Sequence, residues 1–181
     1  MRKIILDLAV SLDGFIEGEN GEIDWCIMDE EMDFDHFLSR IDTVFYGRVS
    51  YEAWGNYLPA HDASPDEQAF WKNIHAKKKY VFSRTLREDD KATLIQEDIL
   101  ERVNAIKHQE GKDIWLYGGA SLIHTFIELQ LIDQYQLSVH PVVLGKGKAL
   151  YENLQKRLEL KLISSRTFQS GVVQLIYQPR S

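Results

Sequence analysis

The chain has 181 residues, of which 44% are apolar and 27% are charged, a composition typical of one globular domain with a sizeable core. Its 28 acidic and 21 basic residues give a formal net charge of -7, which disfavours nucleic acid as a partner but allows a local site for a small anion. The single cysteine, Cys26, excludes an internal disulfide. Asp7 interrupts the first apolar run too early for a signal peptide, and no segment approaches membrane-spanning length. We therefore expect a cytoplasmic protein without a membrane partner.

Short runs of β-branched and aromatic residues alternate along the chain with longer segments of helical period. In chain order, the predicted elements are strand Ile4–Val10, helix Asp29–Ile41, strand Thr43–Tyr46, helix Val49–Trp54, helix Pro65–Lys77, strand Lys79–Ser83, helix Gln96–His108, strand Ile114–Tyr117, helix Ser121–Leu129 and strand Tyr135–Val139. This alternation predicts an α/β sandwich with a largely parallel sheet.

The pattern changes after Pro141. Two runs, Leu158–Thr167 and Val172–Gln178, flank Gln169-Ser170-Gly171 and predict a closing antiparallel hairpin. The stretch Pro59–Pro65 predicts a surface loop rather than a domain boundary. Because no repeat or linker divides the chain, we predict a single domain over residues 1–181.

The most informative motif is the glycine pair Gly118-Gly119, which stands between an apolar run and a predicted helix. Two residues without Cβ let the backbone approach a bulky anion, and the helix that follows directs unpaired N–H groups at the same place. The motif therefore indicates a phosphate-bearing ligand, with a sharp turn that binds nothing as the alternative.

Two other predicted strands are also followed by side chains suited to phosphate. Gly47-Arg48-Val49-Ser50 supplies a glycine, a cation and a hydroxyl at the start of a helix, and Ser83-Arg84 follows a third strand. Because ligands of open parallel sheets bind beyond the carboxyl ends of the strands, these three ends predict one shared crevice. The alternative for Arg48 is a solvated side chain, with Ser50 as a helix cap.

These motifs resemble those of the dihydrofolate reductase superfamily, especially its branch related to the reductase domain of bacterial riboflavin biosynthesis. The resemblance covers most of the chain and rests on Ala9–Ile16, Gly47-Arg48-x-Ser50, Ser83-Arg84, Gly118-Gly119 and His140–Gly147. It implies a dihydrofolate reductase-like three-layer α/β sandwich, with a mostly parallel central sheet and a C-terminal antiparallel hairpin. It also implies a reductase that binds NADPH and, by analogy with the riboflavin-pathway branch, a homodimer.

The resemblance assigns cofactor-binding roles to individual positions. These are Gly47, Arg48 and Ser50 for the pyrophosphate and the adenosine side, Ser83 and Arg84 for the ribose 2′-phosphate, Gly118, Gly119, Ala120, Ser121 and Leu122 for a second phosphate-binding turn, and Val10 and Ile16 for the nicotinamide pocket. A guanidinium suits a dianionic phosphate through two parallel hydrogen bonds, which favours NADPH over NADH. In many members of this family, a cis peptide joins the two glycines.

The resemblance also implies one carboxylate on the first helix, which favours protonation of the bond being reduced. Counting from Trp25 gives Glu30, whereas counting back from Gly47 gives Glu31. At ~100° per residue, Glu30 shares a face with the apolar stripe of the predicted helix, whereas Glu31 lies ~70° from the centre of that stripe. We therefore predict Glu30 as the catalytic acid. The alternative is a solvent-facing carboxylate that the helix dipole favours.

Other conspicuous residues favour ordinary structural roles. The six histidines show no paired spacing with a carboxylate on one helix, so we expect no metal site. Cys26 fits a small buried residue better than a nucleophile. The stretch Gly145–Lys148 could contact an anionic substrate such as a phosphoribityl group, with an exposed turn as the alternative. Trp54 and Tyr57 could stack on a planar ring, with a place in the core as the alternative.

The sequence thus predicts an NADPH-dependent reductase that transfers a hydride to a small heterocyclic or carbonyl substrate. Within the enzyme class, the alternative is a stand-alone 5-amino-6-(5-phosphoribosylamino)uracil reductase of riboflavin biosynthesis. From a different class, the alternative is a non-catalytic nucleotide-binding module.

Overall fold

The computed structural model describes residues 1–180, apart from the side chain of Glu30. The chain forms two compact units. The first unit contains Met1–Arg2 and Asp33–Gly119, and the second contains Lys3–Met32 and the chain from Ala120 onward. Among the described residues, every helix is too short or too polar to cross a lipid bilayer.

Strands and helices alternate through most of the described chain. The strands are β1 (Ile4–Ser11), β2 (Phe15–Glu17), β3 (Ile41–Gly47), β4 (Lys78–Phe82), β5 (Thr93–Ile95), β6 (Asp113–Gly118), β7 (Gln134–His140), β8 (Lys148–Ala149), β9 (Leu160–Thr167) and β10 (Val173–Pro179). The helices are α1 (Phe34–Ser39), α2 (Arg48–Ser50), α3 (Pro65–His75), α4 (Ile99–Lys107) and α5 (Ala120–Glu128). A 3₁₀ turn at Glu30–Met32 precedes α1, and a π-helical turn at Tyr51–Gly55 continues α2.

The first unit is built on parallel strands in the order β5-β4-β3-β6. Strand β3 is apolar almost throughout because both of its faces are covered. The Phe45 ring lies 5.6 Å from the Tyr80 ring on one face, and the Tyr46 ring lies 4.9 Å from the Tyr117 ring on the other. Because all these strands are parallel, their carboxyl ends lie at one edge, and the order of connection reverses between β3 and β6.

Helix α1 packs on the face of this sheet that carries Trp115. The rings of Phe34 and Phe37 each lie 5.5 Å from the Trp115 ring, and Phe34 also lies 5.7 Å from Phe70 of α3. Edge-on and tilted contacts of this kind add to the stabilisation that burial provides. These aromatic contacts therefore fix α1 against β6 and α3 against the residue that begins α1.

The second unit has strands in the order β1-β7-β10-β9. Strands β1 and β7 are parallel, whereas β10 is antiparallel to both β7 and β9. Between β9 and β10, the Phe168 N–H donates to the Val172 carbonyl, and Gly171 takes the positive φ of +86° that the turn requires. The predicted C-terminal antiparallel hairpin is therefore confirmed. The short strands β2 and β8 form a separate antiparallel pair in this unit.

Two predicted helices begin later than their sequence pattern indicated. The segment predicted as one helix over 29–41 forms a helix only at Phe34–Ser39, and the segment predicted from Gln96 forms a helix only from Ile99. The residues before these helices, Asp33 and Asp98, have φ of 49° and 52°, a left-handed conformation that a helix cannot contain. The Asp33 side chain accepts the His36 N–H at 3.2 Å and caps α1 at that point.

Candidate functional site

The three predicted phosphate-binding turns follow neighbouring strands at the carboxyl edge of the sheet in the first unit. In the strand register, Gly47 of β3 pairs with Phe82 of β4, and Tyr46 of β3 pairs with Gly118 of β6. The turns Gly47–Ser50, Ser83-Arg84 and Gly118-Gly119 therefore start side by side, on both sides of the point where the strand order reverses. Such a point is where open α/β sheets bind nucleotides.

Gly119 and Ser50 bring two of these turns into close approach. A Cβ at Gly119 would lie 3.0 Å from Ser50 Oγ, which is tighter than ordinary contact. Gly118 has a φ of +104°, and the peptide bond between Gly118 and Gly119 is cis. Because neither residue carries a side chain, an anion can approach this backbone closely, and the donors nearby are N–H groups and a hydroxyl. These residues fit a nucleotide phosphate.

The two predicted arginines have different surroundings. Arg48 Nη1 donates to Glu52 Oε2 at 2.6 Å, and 42% of the Arg48 side chain is exposed. An exposed i,i+4 ion pair stabilises a helix by about 0.5 kcal/mol at most, so the guanidinium can turn to a bound anion at little cost. Arg84 is exposed, and within residues 1–180 its side chain has no hydrogen-bond or ion-pair partner. Its guanidinium is therefore available to a ligand.

Ser83 organises the loop that carries Arg84. Its Oγ accepts the N–H groups of Leu86 at 2.9 Å and Thr85 at 3.2 Å, which closes a side-chain turn directly after β4. The Ser83 N–H donates to the carbonyl of Ile95 in β5. The hydroxyl that the resemblance assigns to the ribose phosphate thus also holds the loop in shape.

The other predicted cofactor residues belong to the second unit. Val10 is buried on β1, and Ile16 is half-buried on β2. Ala120, Ser121 and Leu122 form the first turn of α5, with Ser121 exposed and Leu122 buried. The first N–H groups of a helix have no partner within it and can bind an anion.

The predicted acid Glu30 lies in the 3₁₀ turn at Glu30–Met32, and its side chain lies outside the part of the chain that the structure describes. The reason for preferring Glu30 to Glu31 assumed a continuous helix from residue 29. Because α1 begins only at Phe34, that geometric argument is wrong. Glu30 stays a prediction that rests on the resemblance.

Sequence reasoning missed a buried carboxyl on β1. Asp7 is 9% exposed and accepts a hydrogen bond at 2.5 Å from the side-chain amide of Gln136, its register partner on β7. Burial raises the pKa of Asp7 to about 7. The signal was present in the sequence, because Asp7 is the one charged residue inside the apolar run Ile4–Val10.

The same face of the strand pair ends at His140, which is 2% exposed. Its Nδ1 accepts the N–H of Ile27 at 3.2 Å, and the edge of the Trp25 ring packs 5.4 Å from the imidazole. Burial lowers the pKa of His140, which keeps Nδ1 unprotonated as an acceptor. His140 thus fastens the 25–27 segment to the end of β7 within the second unit.

The glycine-lysine loop is bound to the chain's own carboxylates. Lys146 Nζ lies 2.5 Å from Glu19 Oε2, and Lys148 Nζ lies 3.1 Å from Glu17 Oε2. A Cβ at Gly147 would collide with the Glu17 carbonyl oxygen at 2.2 Å, so the loop follows that strand closely. The side chains of Lys146 and Lys148 are 73% and 50% exposed, so these ion pairs are weak and either lysine can turn to an anion at little cost. The exposed turn and the phosphoribityl contact therefore both stay predictions.

Several other conspicuous side chains pack within the protein. The rings of Trp54 and Trp71 stack at 5.8 Å, and Tyr57 lies 4.7 Å from Trp71. Cys26 is half-buried, and burial raises the pKa of its thiol to about 11, which makes it a poor nucleophile at neutral pH. Among residues 1–180, no cluster of His, Cys, Asp and Glu has the geometry to hold a metal ion.

Comparisons with known proteins agree with this geometry. A family model described as RibD C-terminal domain matches residues 2–174. The uncharacterized protein YyaP of Bacillus subtilis is 59% identical over 177 residues, which cover 97% of this chain and 94% of that protein. A crystal structure from Shewanella sp. PV-4, named for riboflavin biosynthesis, has a TM-score of 0.77 at 24% identity and full coverage of both chains. Dihydrofolate reductase from Enterococcus faecalis, complexed with NADP(H), has a TM-score of 0.67 at 11% identity and coverage of 99% and 97%.

These likenesses confirm the predicted fold class. The fold is α/β and dihydrofolate reductase-like, with mostly parallel strands and a C-terminal antiparallel pair. At identities of 24% and 11%, the two solved structures support the fold alone.

Proposed function

The chain belongs to the RibD C-terminal domain family, and from this premise we propose that it is an NADPH-dependent reductase. Its substrate in this proposal is a small heterocyclic or carbonyl compound. The observation that supports it most is the close approach of Ser50 to Gly119 at neighbouring strand ends. The family match spans both compact units, which supports one domain over residues 1–181.

In this proposal, each part of the site has a separate task. The open backbone at Gly118-Gly119 and the Ser50 hydroxyl bind the phosphates, and the exposed Arg84 binds the 2′-phosphate. By the family pattern, Val10 and Ile16 line the nicotinamide pocket. Bound NADPH supplies the hydride, and the chain orients the ring and keeps water away from it.

Arg84→Ala is expected to weaken NADPH binding about tenfold, or ~1.4 kcal/mol, and to leave NADH binding unchanged within about twofold. The reason is that only NADPH carries the 2′-phosphate, which an exposed guanidinium without an internal partner can bind. Titration calorimetry with each nucleotide measures both constants. Arg87→Ala, an exposed arginine of the same loop, is the matched control and should affect neither. Equal losses for NADPH and NADH with Arg84→Ala would remove the 2′-phosphate assignment.

The reductase proposal itself is tested by following NADPH oxidation with a panel of acceptors. The panel contains dihydrofolate, 5-amino-6-(5-phosphoribosylamino)uracil and small carbonyl compounds. We expect turnover with at least one acceptor of this panel. Turnover confined to the phosphoribosylamino compound would favour the stand-alone riboflavin-pathway reductase. Binding of NADPH without turnover of any acceptor would favour the non-catalytic module.

By the same family analogy, we propose that the protein is a cytoplasmic homodimer. Light scattering in solution tests the dimer, which predicts twice the chain mass of 21.0 kDa. A particle of the single chain mass would contradict it.

A further inference from the structure

A carboxyl group in the middle of a buried strand needs a physical reason, because taking a charge out of water is costly. Asp7 lies at the centre of β1, after three fully buried residues, Ile4, Ile5 and Leu6. Its side chain is on the same face as that of Gln136, since the amide Nε2 of Gln136 donates to Asp7 Oδ2 across the strand pair. The pairing fixes the orientation of the carboxyl within the sheet.

The strand surface beside Asp7 carries polar side chains and one small residue. Ala9 follows two residues later on the same face of β1, where its register partner is the buried Ser138. Ala9 is half-buried, so this face of β1 is partly exposed directly after Asp7, and the Ala9 side chain ends at Cβ. Asp7, Gln136 and Ser138 thus form a polar cluster around a small residue, an arrangement suited to a ring or carbonyl group with polar atoms at its edge.

We propose that Asp7 is the proton donor of this reductase and that Gln136 is the residue that positions it. This inference rests on the proposed function. NADPH, when bound, would supply a hydride to the carbon of a C=N or C=O group and would itself be oxidised to NADP⁺, and the electron pair of the double bond would pass to the nitrogen or oxygen. That atom takes the proton from the Asp7 carboxyl. The Asp7 carboxylate that remains regains a proton from water.

The electrostatics of the second unit suit this role. Burial raises the pKa of Asp7 to about 7, so the group can hold a transferable proton near neutral pH. The strand register places His140, at the end of β7, and Arg166, on β9, on the same face of the sheet as Asp7. Burial lowers the pKa of His140, so the imidazole is neutral where Asp7 titrates.

The kinetic test uses the acceptor found to be turned over with NADPH. Asp7→Asn is expected to lower kcat about a hundredfold and to leave the NADPH dissociation constant within about twofold. The unchanged protein should lose kcat above about pH 7, roughly tenfold per pH unit, and Asp7→Asn should remove that slope. Gln136→Leu should move the loss of kcat to higher pH, because the Asp7 carboxylate loses a hydrogen bond and the pKa of Asp7 therefore rises. Asp62→Asn, at an exposed position, is the matched control.

A second readout needs no turnover. A carboxyl whose pKa is about 7 when folded, against its ordinary value of 3.8, contributes stability that is present below 3.8 and is lost as the pH rises through about 7. Asp7→Asn removes this contribution. The melting temperature of the variant relative to the unchanged protein should therefore rise between about pH 5 and about pH 8. The infrared band of a protonated carboxyl, present at about pH 6 and absent in Asp7→Asn, identifies the group directly.

The outcomes separate this inference from the proposed function. Turnover and a pH slope that survive Asp7→Asn would overturn the role of Asp7 and leave the reductase intact. A pH slope of kcat that Glu30→Gln removes and Asp7→Asn does not would also overturn the role of Asp7. A flat difference in melting temperature, with no infrared band, would overturn the inference even without an acceptor. Failure of the unchanged protein to reduce any acceptor would overturn both proposals.

Discussion

Gly118→Ala is expected to weaken NADPH binding roughly a hundredfold, or ~2.7 kcal/mol. Gly118 has a φ of +104°, which residues with a Cβ rarely adopt, so the turn must move to accept alanine. That movement disturbs the backbone that the proposal places against the phosphate, where two charge-assisted hydrogen bonds would together contribute roughly 3 kcal/mol. Titration calorimetry of the variant and of the unchanged chain measures the difference.

Gly171→Ala is the matched control for backbone strain. Gly171 has a similar φ of +86°, and its added Cβ would meet Pro141 only at an ordinary 3.4 Å. Both variants should lose stability to the same cause, whereas only Gly118→Ala should lose NADPH. Equal affinities for the two variants would show that the Gly118 turn does not contact the cofactor.

Arg2→Met is expected to lower the free energy of unfolding by about 3 kcal/mol, which corresponds to a fall in melting temperature of roughly 6 to 12 °C. The Arg2 side chain is only 5% exposed. It forms an ion pair with Asp42 and donates to Thr43 Oγ1 and the Lys112 carbonyl oxygen. Methionine preserves much of the volume, but it leaves these acceptors without their donor. Chemical denaturation with a linear extrapolation measures the loss.

Arg40→Met provides the comparison, because it removes an arginine that lies nearer the surface. The Arg40 side chain is 40% exposed, and its Nη2 lies 3.6 Å from Asp113 Oδ2, so its removal should cost less than about 1 kcal/mol. Similar losses for the two variants would contradict a special role for the buried Arg2 network.

The sheet was predictable because its strands carry strong local signals. Strands β1, β3, β4, β6 and β7 are apolar runs whose position and direction the sequence predicted within one or two residues. Strands β2, β5 and β8 were not predicted. They contain two or three residues each, too few for an alternating pattern, and their existence depends on partners distant in the chain.

The helix starts at Asp33 and Asp98 were harder to place. Residues 29–33 and 96–98 are almost all polar, so apolar periodicity does not mark where either helix starts. Aspartate tolerates the left-handed conformation, and that local backbone conformation sets the start of each helix. The segment after Gly47 differs in another way, since α2 gives way to a π-helical turn that sequence spacing does not distinguish from an α-helix.

Some parts of the site were predictable from the sequence and others were not. Glycine, arginine and serine directly after a strand indicate an anion-binding turn by themselves, so the adjacent turns of the first unit could be predicted from sequence and strand order. The role of Asp7 depends on Gln136, which is 129 residues away in sequence. The pairing of Lys146 with Glu19 likewise depends on a distant loop. Such contacts are set by strand register, which a single sequence does not reveal.

Titration of the unchanged protein with NADPH tests the central claim most directly. Binding at the turns of the first unit predicts saturation with one nucleotide per chain. At a free NADPH concentration about 100 times the dissociation constant, it also predicts stabilisation of ~2.7 kcal/mol, or a rise in melting temperature of roughly 5 to 10 °C. No heat of binding and no change in melting temperature at millimolar NADPH would contradict the claim that these turns hold the cofactor.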